Sequence, residues 1–349
     1  MDYTRALPRP IVVHPEHTSL KFHTMTPPIL HTFFRAAFFF TCIHAANAAE
    51  FSLKDTPGDH LDVLSGGKLV GRYMYGHDVS TPERRVETYK PWLHVFDAEG
   101  AEPITKGPGG EFPHHRGIFL GWNKMTVAGK GFDRWHMKGG DQVHEKFSVQ
   151  KAGPDGASFT SLVKWMGETP EATLIEEERT MSFLPAPAPA YALVDVVSRV
   201  KAVGGETVLD GDPEHAGLQF RPSNEVSRSD TAYLYPREKA DPHKDRDYPW
   251  IGETFTLAGK RLSVVYLNHP GNPKDARISA YRNYGRFGMF FKTTIPAGET
   301  VTFKARLVVQ SGEMPSPEVI QKWWNEYAGT TEPTPATTAK PAEQPKPKP

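Results

Sequence analysis

From Phe51 to Gly312 the chain is a succession of stretches in which apolar and polar residues alternate, broken by Gly- and Pro-rich turns. Alternation with period two sends every second side chain to one face, so these stretches predict strands with one buried face. Residues 60–76 read as two strands around Gly66-Gly67, and residues 89–97 as another that buries Trp92. Residues 143–150 and 157–167 flank the turn Gly153-Pro154-Asp155-Gly156 and form a hairpin. Residues 173–184 and 191–203 follow on either side of a Pro-Ala run, and 216–221, 254–269, 286–295 and 300–312 continue the pattern. One segment departs from it. Residues 315–329 predict a helix, with Pro317 near its start, Gly329 at its stop, and Trp323 and Trp324 as the side chains that dock it. The expected fold is all-β: a large β-sandwich of the supersandwich kind with a C-terminal helix packed on it.

Both ends of the 349-residue chain differ from this middle. Residues 33–48 read FFRAAFFFTCIHAANA, an Arg followed by a short apolar run and the triplet Ala46-Asn47-Ala48. That is the order of a secretory signal with a small-residue cleavage site, and it places the mature start at Ala49. The apolar run 36–43 is too short to span a bilayer, which needs roughly 20 residues. A signal peptide is therefore expected over 25–48, opening at Met25, with 1–24 as an upstream extension foreign to the native chain. The domain is expected over 49–329, and the Pro-rich stretch 330–349 as a disordered tail. The location read from these features is periplasmic or extracellular. Cys42, the only cysteine, lies in the signal, so the processed chain can use neither disulfides nor a catalytic thiolate.

Lys plus Arg equals Asp plus Glu at 41 each, with no basic block inside the domain, which argues against a nucleic-acid partner. No dinucleotide-binding or phosphate-loop glycine motif, H-E-x-x-H or G-x-S-x-G is present. What remains is a set of polar clusters in the connections. Residues 111–122, EFPHHRGIFLGW, carry His114, His115 and Arg116 between Pro113 and Gly117, which allow the bend that would bring adjacent histidines toward one cleft. Imidazole suits proton transfer near neutral pH or a divalent metal, and equally a structural hydrogen bond. Residues 134–147 hold His136, Asp141, His144 and Glu145; if His144 opens a strand, it and Glu145 face opposite ways, and His144 is the one of these two favoured for the site. Residues 210–225 hold Asp212, Glu214 and His215 ahead of Gln219 and Arg221, and a carboxylate here could serve as an acid or as a metal ligand. Tyr73, Tyr75, Trp122, Trp135 and Trp250 lie beside these clusters, as core residues or as faces on which a sugar ring stacks.

The segments PWLHVFD (91–97), FPHHRGIFLGW (112–122), HAGLQFR (215–221), YLNHPGNP (266–273) and YRNYGRFGMF (281–290) resemble the PmoA-like family, a bacterial group of largely unassigned function. The resemblance covers residues 50–328. It implies a β-sandwich similar to that of sugar mutarotases and a saccharide ligand, and it marks His114, His115, Arg116, His144 and His269. The match departs at Ser279-Ala280, where many relatives carry a Trp-His pair.

The leading expectation is an exported carbohydrate-active protein, a lyase, hydrolase or epimerase acting on a small saccharide or keto-sugar. His115 would be the base or metal ligand, with His144 its partner and second candidate ligand for a divalent metal. Glu214 would be the acid and Arg116 or Arg221 the clamp, while His114, Trp122, His269 and Tyr75 would line the ligand. Two other readings stand beside it: a non-catalytic saccharide- or envelope-binding module, and a structural envelope protein.

Overall fold

The structure is a computed structural model that describes Glu50–Thr169 and Ala172–Gln344. The signal, the upstream extension and Cys42 lie outside the described residues, as do residues 345–349. The fold is almost entirely β, in three antiparallel sheets of eight, nine and four strands. The two large sheets form the sandwich. Strand Gly156–Met166 buries every second residue, as its sequence alternation requires, and Thr173–Leu184 does nearly the same. Their inward side chains meet those of the eight-stranded sheet in one core. Tyr73 lies 5.0 Å from Phe159 ring to ring, Trp122 lies 5.3 Å from Phe303, and a side chain at Gly71 would collide with Phe183.

One buried ion pair interrupts this apolar interior. Glu177 accepts from Arg179 and Ser198, and from the Trp165 indole at 2.8 Å. Arg179 also donates to the Pro91 carbonyl at 3.0 Å. A buried charge pair is tolerated only when its hydrogen bonds are met, and here they are.

Helix Pro317–Ala328 has Pro317 in its first turn and closes at Gly329 in the left-handed conformation, as its sequence predicts. It lays Ile320, Trp323 and Trp324 on Trp250, Val265, Leu267 and Val308, on the outer face of the nine-stranded sheet. Trp250 donates to Gln321 at 2.9 Å, so this tryptophan anchors the helix. A second, short helix, Pro82–Thr88, is capped by the Thr81 hydroxyl.

The tail differs from expectation over its described part. Thr338–Pro341 is an edge strand paired antiparallel with Ala232–Tyr235. Beyond it, the Glu343 amide donates to the Tyr281 carbonyl at 2.8 Å. Low apolar content suggests disorder, but main-chain pairing needs no apolar mass, and an edge strand accommodates both Pro and Lys.

The four-stranded sheet positions the site. Its order is Thr293–Ile295, Thr207–Asp210, Lys124–Val127, Lys130–Phe132. Thr207–Asp210 and Lys130–Phe132 are each antiparallel to the strand between them, so they run the same way and end on the same side. Asn123 joins Lys124–Val127 to Ile118–Trp122 of the eight-stranded sheet, and residues 211–215 join Thr207–Asp210 to Ala216–Phe220 of that same sheet. The two connections meet, since the Asn123 amide donates to the His215 carbonyl at 2.9 Å.

Candidate metal centre

At this seam, on the outer face of the eight-stranded sheet, Phe119, Trp135 and Trp92 form a small separate core. The loop after Lys130–Phe132 lies directly on strand Ile118–Trp122. Gly121 makes that possible, because any side chain there would collide with the Arg134 carbonyl. The Arg134 amide then donates to the Trp122 carbonyl at 2.8 Å.

Each of the two strands that end together continues into the same motif. Lys130–Phe132 is followed by Asp133-Arg134-Trp135-His136, and Thr207–Asp210, after Gly211, by Asp212-Pro213-Glu214-His215. In both, the Asp carboxylate folds back onto its own turn. Asp133 accepts from the amides of Trp135 at 3.0 Å and His136 at 2.9 Å, and Asp212 from the amide of Glu214 at 3.0 Å. Each carboxylate also takes Nδ1 of the histidine three residues on, at 2.8 Å in both cases. Asn123 holds the other oxygen of Asp212 at 2.8 Å. Donation from Nδ1–H fixes the tautomer and leaves Nε2 of His136 and His215 as the lone-pair nitrogen.

His114 completes the group. Its ring centroid is 4.4 Å from that of His136 and 6.2 Å from that of His215, and the latter two are 5.3 Å apart. One ligand atom from each of the three lies within 4.8 Å of the others. Nε2 of His114 is buried without a hydrogen-bond partner in the protein, which leaves it available as a ligand atom. Burial, reinforced by His136, Lys90, His215 and Arg286, pushes the His114 imidazolium down to about 3, so the ring is neutral as a ligand must be. Burial alone would raise the Asp133 carboxyl, but hydrogen bonds from His136 hold it below its ordinary value. The three histidines can therefore coordinate a metal ion, with two of the three backed by carboxylates.

The loops that carry these rings are strained. Phe112, two residues before His114, has φ of 54°, and Met137, next to His136, has φ of 57°. Non-glycine residues in this region cost of order 1–3 kcal/mol each and persist where the surroundings impose them.

The sequence-marked residues divide into three groups. His114 is in the triad. His115 sits beneath it, 2% exposed, its ring 4.4 Å from that of His114 and packed among Phe112, Phe119, Trp135 and Tyr284. Burial pushes its imidazolium well below the ordinary value. Glu214 lies on the rim, bound by Arg282 and by the Tyr281 hydroxyl at 3.2 Å. Arg116 and Arg221 are near but fully buried. Arg116 donates to the carbonyls of His115, Pro113 and Val86, and Arg221 to those of Pro222 and Tyr284, so both brace loops instead of clamping a ligand.

The others lie elsewhere. His144 binds Ser161 at 2.6 Å in an aromatic nest with Tyr75 and Phe147, and so does not partner His115. Tyr75 spends its hydroxyl on Asp55 at 2.6 Å. Trp122 is wholly inside the sandwich, bonded to the Phe291 carbonyl at 3.3 Å. His269 lines a different cleft, with Tyr248, Pro270 and Trp324. A strand side chain is aimed by its register, which turns Trp122 inward, and Tyr75, directly after strand Lys68–Met74, is buried in the same core.

Sequence reasoning placed His136, Asp212 and His215 in the polar clusters without choosing the two histidines as ligands, and it passed over Asp133. The signal that could have found them is the repeated D-x-x-H directly after a strand, because an Asp that caps its own turn can reach the ring three residues on.

The model of a family described only as a family of unknown function, DUF6807, matches residues 60–325. This corrects the PmoA-like resemblance, and among the described residues no helix is long and apolar enough to cross a membrane. No curated protein matches the sequence. Among solved structures, an alpha-galactosidase from Lactobacillus brevis is 10% identical with a TM-score of 0.36, over 80% of this chain and 41% of its own. A heparan sulfate lyase HepC mutant from Pedobacter heparinus is 10% identical with a TM-score of 0.34, over 77% of this chain and 36% of its own. The Slr1438 protein from Synechocystis sp. PCC 6803 is 10% identical with a TM-score of 0.35, over 75% of this chain and 96% of its own. The chain thus spans well under half the length of the first two. With TM-scores below 0.5, none of these likenesses bears on what the chain binds.

Proposed function

The chain belongs to the DUF6807 family, and from its histidine site we propose that it is an exported, divalent-metal-dependent enzyme acting on a small saccharide or keto-sugar. The observation that carries the reading is the convergence of His114, His136 and His215, with Asp133 and Asp212 behind two of them. Three neutral imidazoles suit a borderline ion such as Zn²⁺ over Mg²⁺ or Ca²⁺, which take oxygen ligands. Three protein ligands leave a coordination position open, as in catalytic metal sites and unlike closed structural ones. A metal held this way polarises a carbonyl or lowers the pKa of bound water toward about 7. Either effect serves hydrolysis, elimination or epimerisation, all of which begin with an activated water or the loss of a proton beside a carbonyl.

The rim supports a hydroxyl-rich ligand. Glu214, Arg282, Asn123 and His243 supply hydrogen-bonding groups beside the rings of Phe112 and Tyr281, the mixture of polar groups and apolar faces that sugars require.

The test is elemental analysis of the purified protein, followed by turnover on a panel of sugars and keto-sugars. About one equivalent of metal is expected, with His136→Ala and His215→Ala each losing both metal and turnover. Metal-free protein with unchanged turnover in the two variants would sink the proposal. Bound metal without turnover on any member of the panel would favour a binding module. Export is checked separately by sequencing the mature N-terminus, expected at Ala49.

A further inference from the structure

Every loop that carries a histidine of the triad is braced from below by an arginine that is wholly buried and pairs with no carboxylate. Arg116 donates to the carbonyls of Pro113 and His115, which flank His114. Arg134, inside the first D-x-x-H turn, donates to the carbonyls of Asp133 at 3.2 Å, Lys138 at 3.0 Å and Gly139 at 3.2 Å. Arg286 donates to the Pro213 carbonyl of the second turn at 3.4 Å and to Ser279 at 2.6 Å. A fourth, Arg221, stacks 4.8 Å above Tyr284, whose ring lies 6.1 Å from that of His115. All four are 0% exposed, and no ion pair joins any of them to an acid among the described residues.

The same protein treats a buried arginine differently in its sandwich core, where Arg179 receives Glu177 as a full counter-ion. Around the triad the acids are already committed. Asp133 and Asp212 serve histidines, and Glu214 serves Arg282. Glu253, close to Arg221 and Arg286, has both oxygens buried without a hydrogen-bond partner, and burial raises its carboxyl above the ordinary value against the pull of the two arginines. Four guanidiniums thus face Glu253 and the two carboxylates that hold histidines, none of them within ion-pair distance of an arginine, before any metal adds its own charge. A buried cation without a counter-ion is disfavoured by several kcal/mol, and its field acts over a longer range than it would in water.

We infer that this uncompensated positive field is completed by the ligand, and that the substrate class is an anionic sugar, a uronic or aldonic acid, in preference to a neutral one. The inference rests on the proposed saccharide site and deepens it. The guanidiniums are too deep to touch the ligand, so they act through their field, drawing a carboxylate to the triad and stabilising negative charge that develops on it.

Binding of D-glucuronate and D-galacturonate is compared with that of D-glucose and D-galactose by calorimetry, on metal-loaded and chelator-treated protein, at low and high NaCl. The uronates are expected to bind at least about tenfold more tightly, to weaken as salt rises, and to keep part of this preference after the metal is removed. Equal binding of acidic and neutral sugars overturns the inference while leaving the metal reading intact. A preference present only in the loaded protein also overturns it, because the metal alone then attracts the anion. Arg286→Gln is expected to narrow the preference, whereas Arg286→Lys, which alters the same brace on Pro213 but keeps the charge, is expected to retain it. If either variant fails to fold, the salt series on the unaltered protein still decides the question.

Discussion

At the scale of single residues, the centre depends on two aspartates that touch no ligand. By holding Nδ1 of His136 and His215, Asp133 and Asp212 orient each ring and increase the basicity of its free nitrogen. Asp133→Asn or Asp212→Asn should therefore lower metal affinity by about 10–100-fold while leaving the fold intact, as read by competition against a chelator and by circular dichroism. A different residue-scale outcome concerns His94 and His144, both far from the triad in role. Burial, aided by Arg72 and Arg116, pushes the His94 imidazolium down to about 3, and burial pushes His144 to about 4. Because the unfolded chain takes up these protons from about pH 6.5 downward and the folded one does not, the histidines leave stability undiminished above that pH. Stability is then lost as pH falls from about 6.5 toward 4 and 3. The urea midpoint should drop between pH 7.5 and pH 5, and the drop should be smaller in His144→Gln. In the core, Glu177→Gln leaves Arg179 without its counter-ion and should destabilise by roughly 3–5 kcal/mol in denaturant titration.

At the scale of elements, the edge strand Thr338–Pro341 covers Ala232–Tyr235, which would otherwise present an open row of main-chain donors and acceptors. Truncation after residue 330 should therefore promote self-association, visible in size-exclusion chromatography coupled to light scattering, and unchanged monomer there would contradict this role. Strands were legible in the sequence because alternation reports burial directly, as in Gly156–Met166, and the helix was legible from Pro317 and Gly329. The tail strand was not, since its stability comes from main-chain pairing that composition does not record. Nor was the site fully legible. His114 stood out beside His115, but His136 and His215 come together only because Lys130–Phe132 and Thr207–Asp210 run in the same direction with another strand between them. That relation belongs to the pairing of the small sheet. Conversely, Trp122, Tyr75 and His144 looked functional by proximity in sequence, and packing into or against the sandwich core decided otherwise.

At the scale of the whole molecule, the centre sits where two sheets meet, and its three histidines come from segments far apart in the chain. A metal bound there would tie these segments together only in the folded state, so loading should raise the melting temperature and chelation lower it. At a free metal concentration of about 100 times the dissociation constant the added stability is about 2.7 kcal/mol. Mutation of either D-x-x-H histidine should abolish the shift. The parallel exits of the two small-sheet strands have a further meaning for anyone wishing to alter the chemistry. Both D-x-x-H turns are mounted on one frame, and each is only a few residues long. They can be exchanged or randomised as a pair of cartridges, with the frame setting their spacing and the sandwich left unedited.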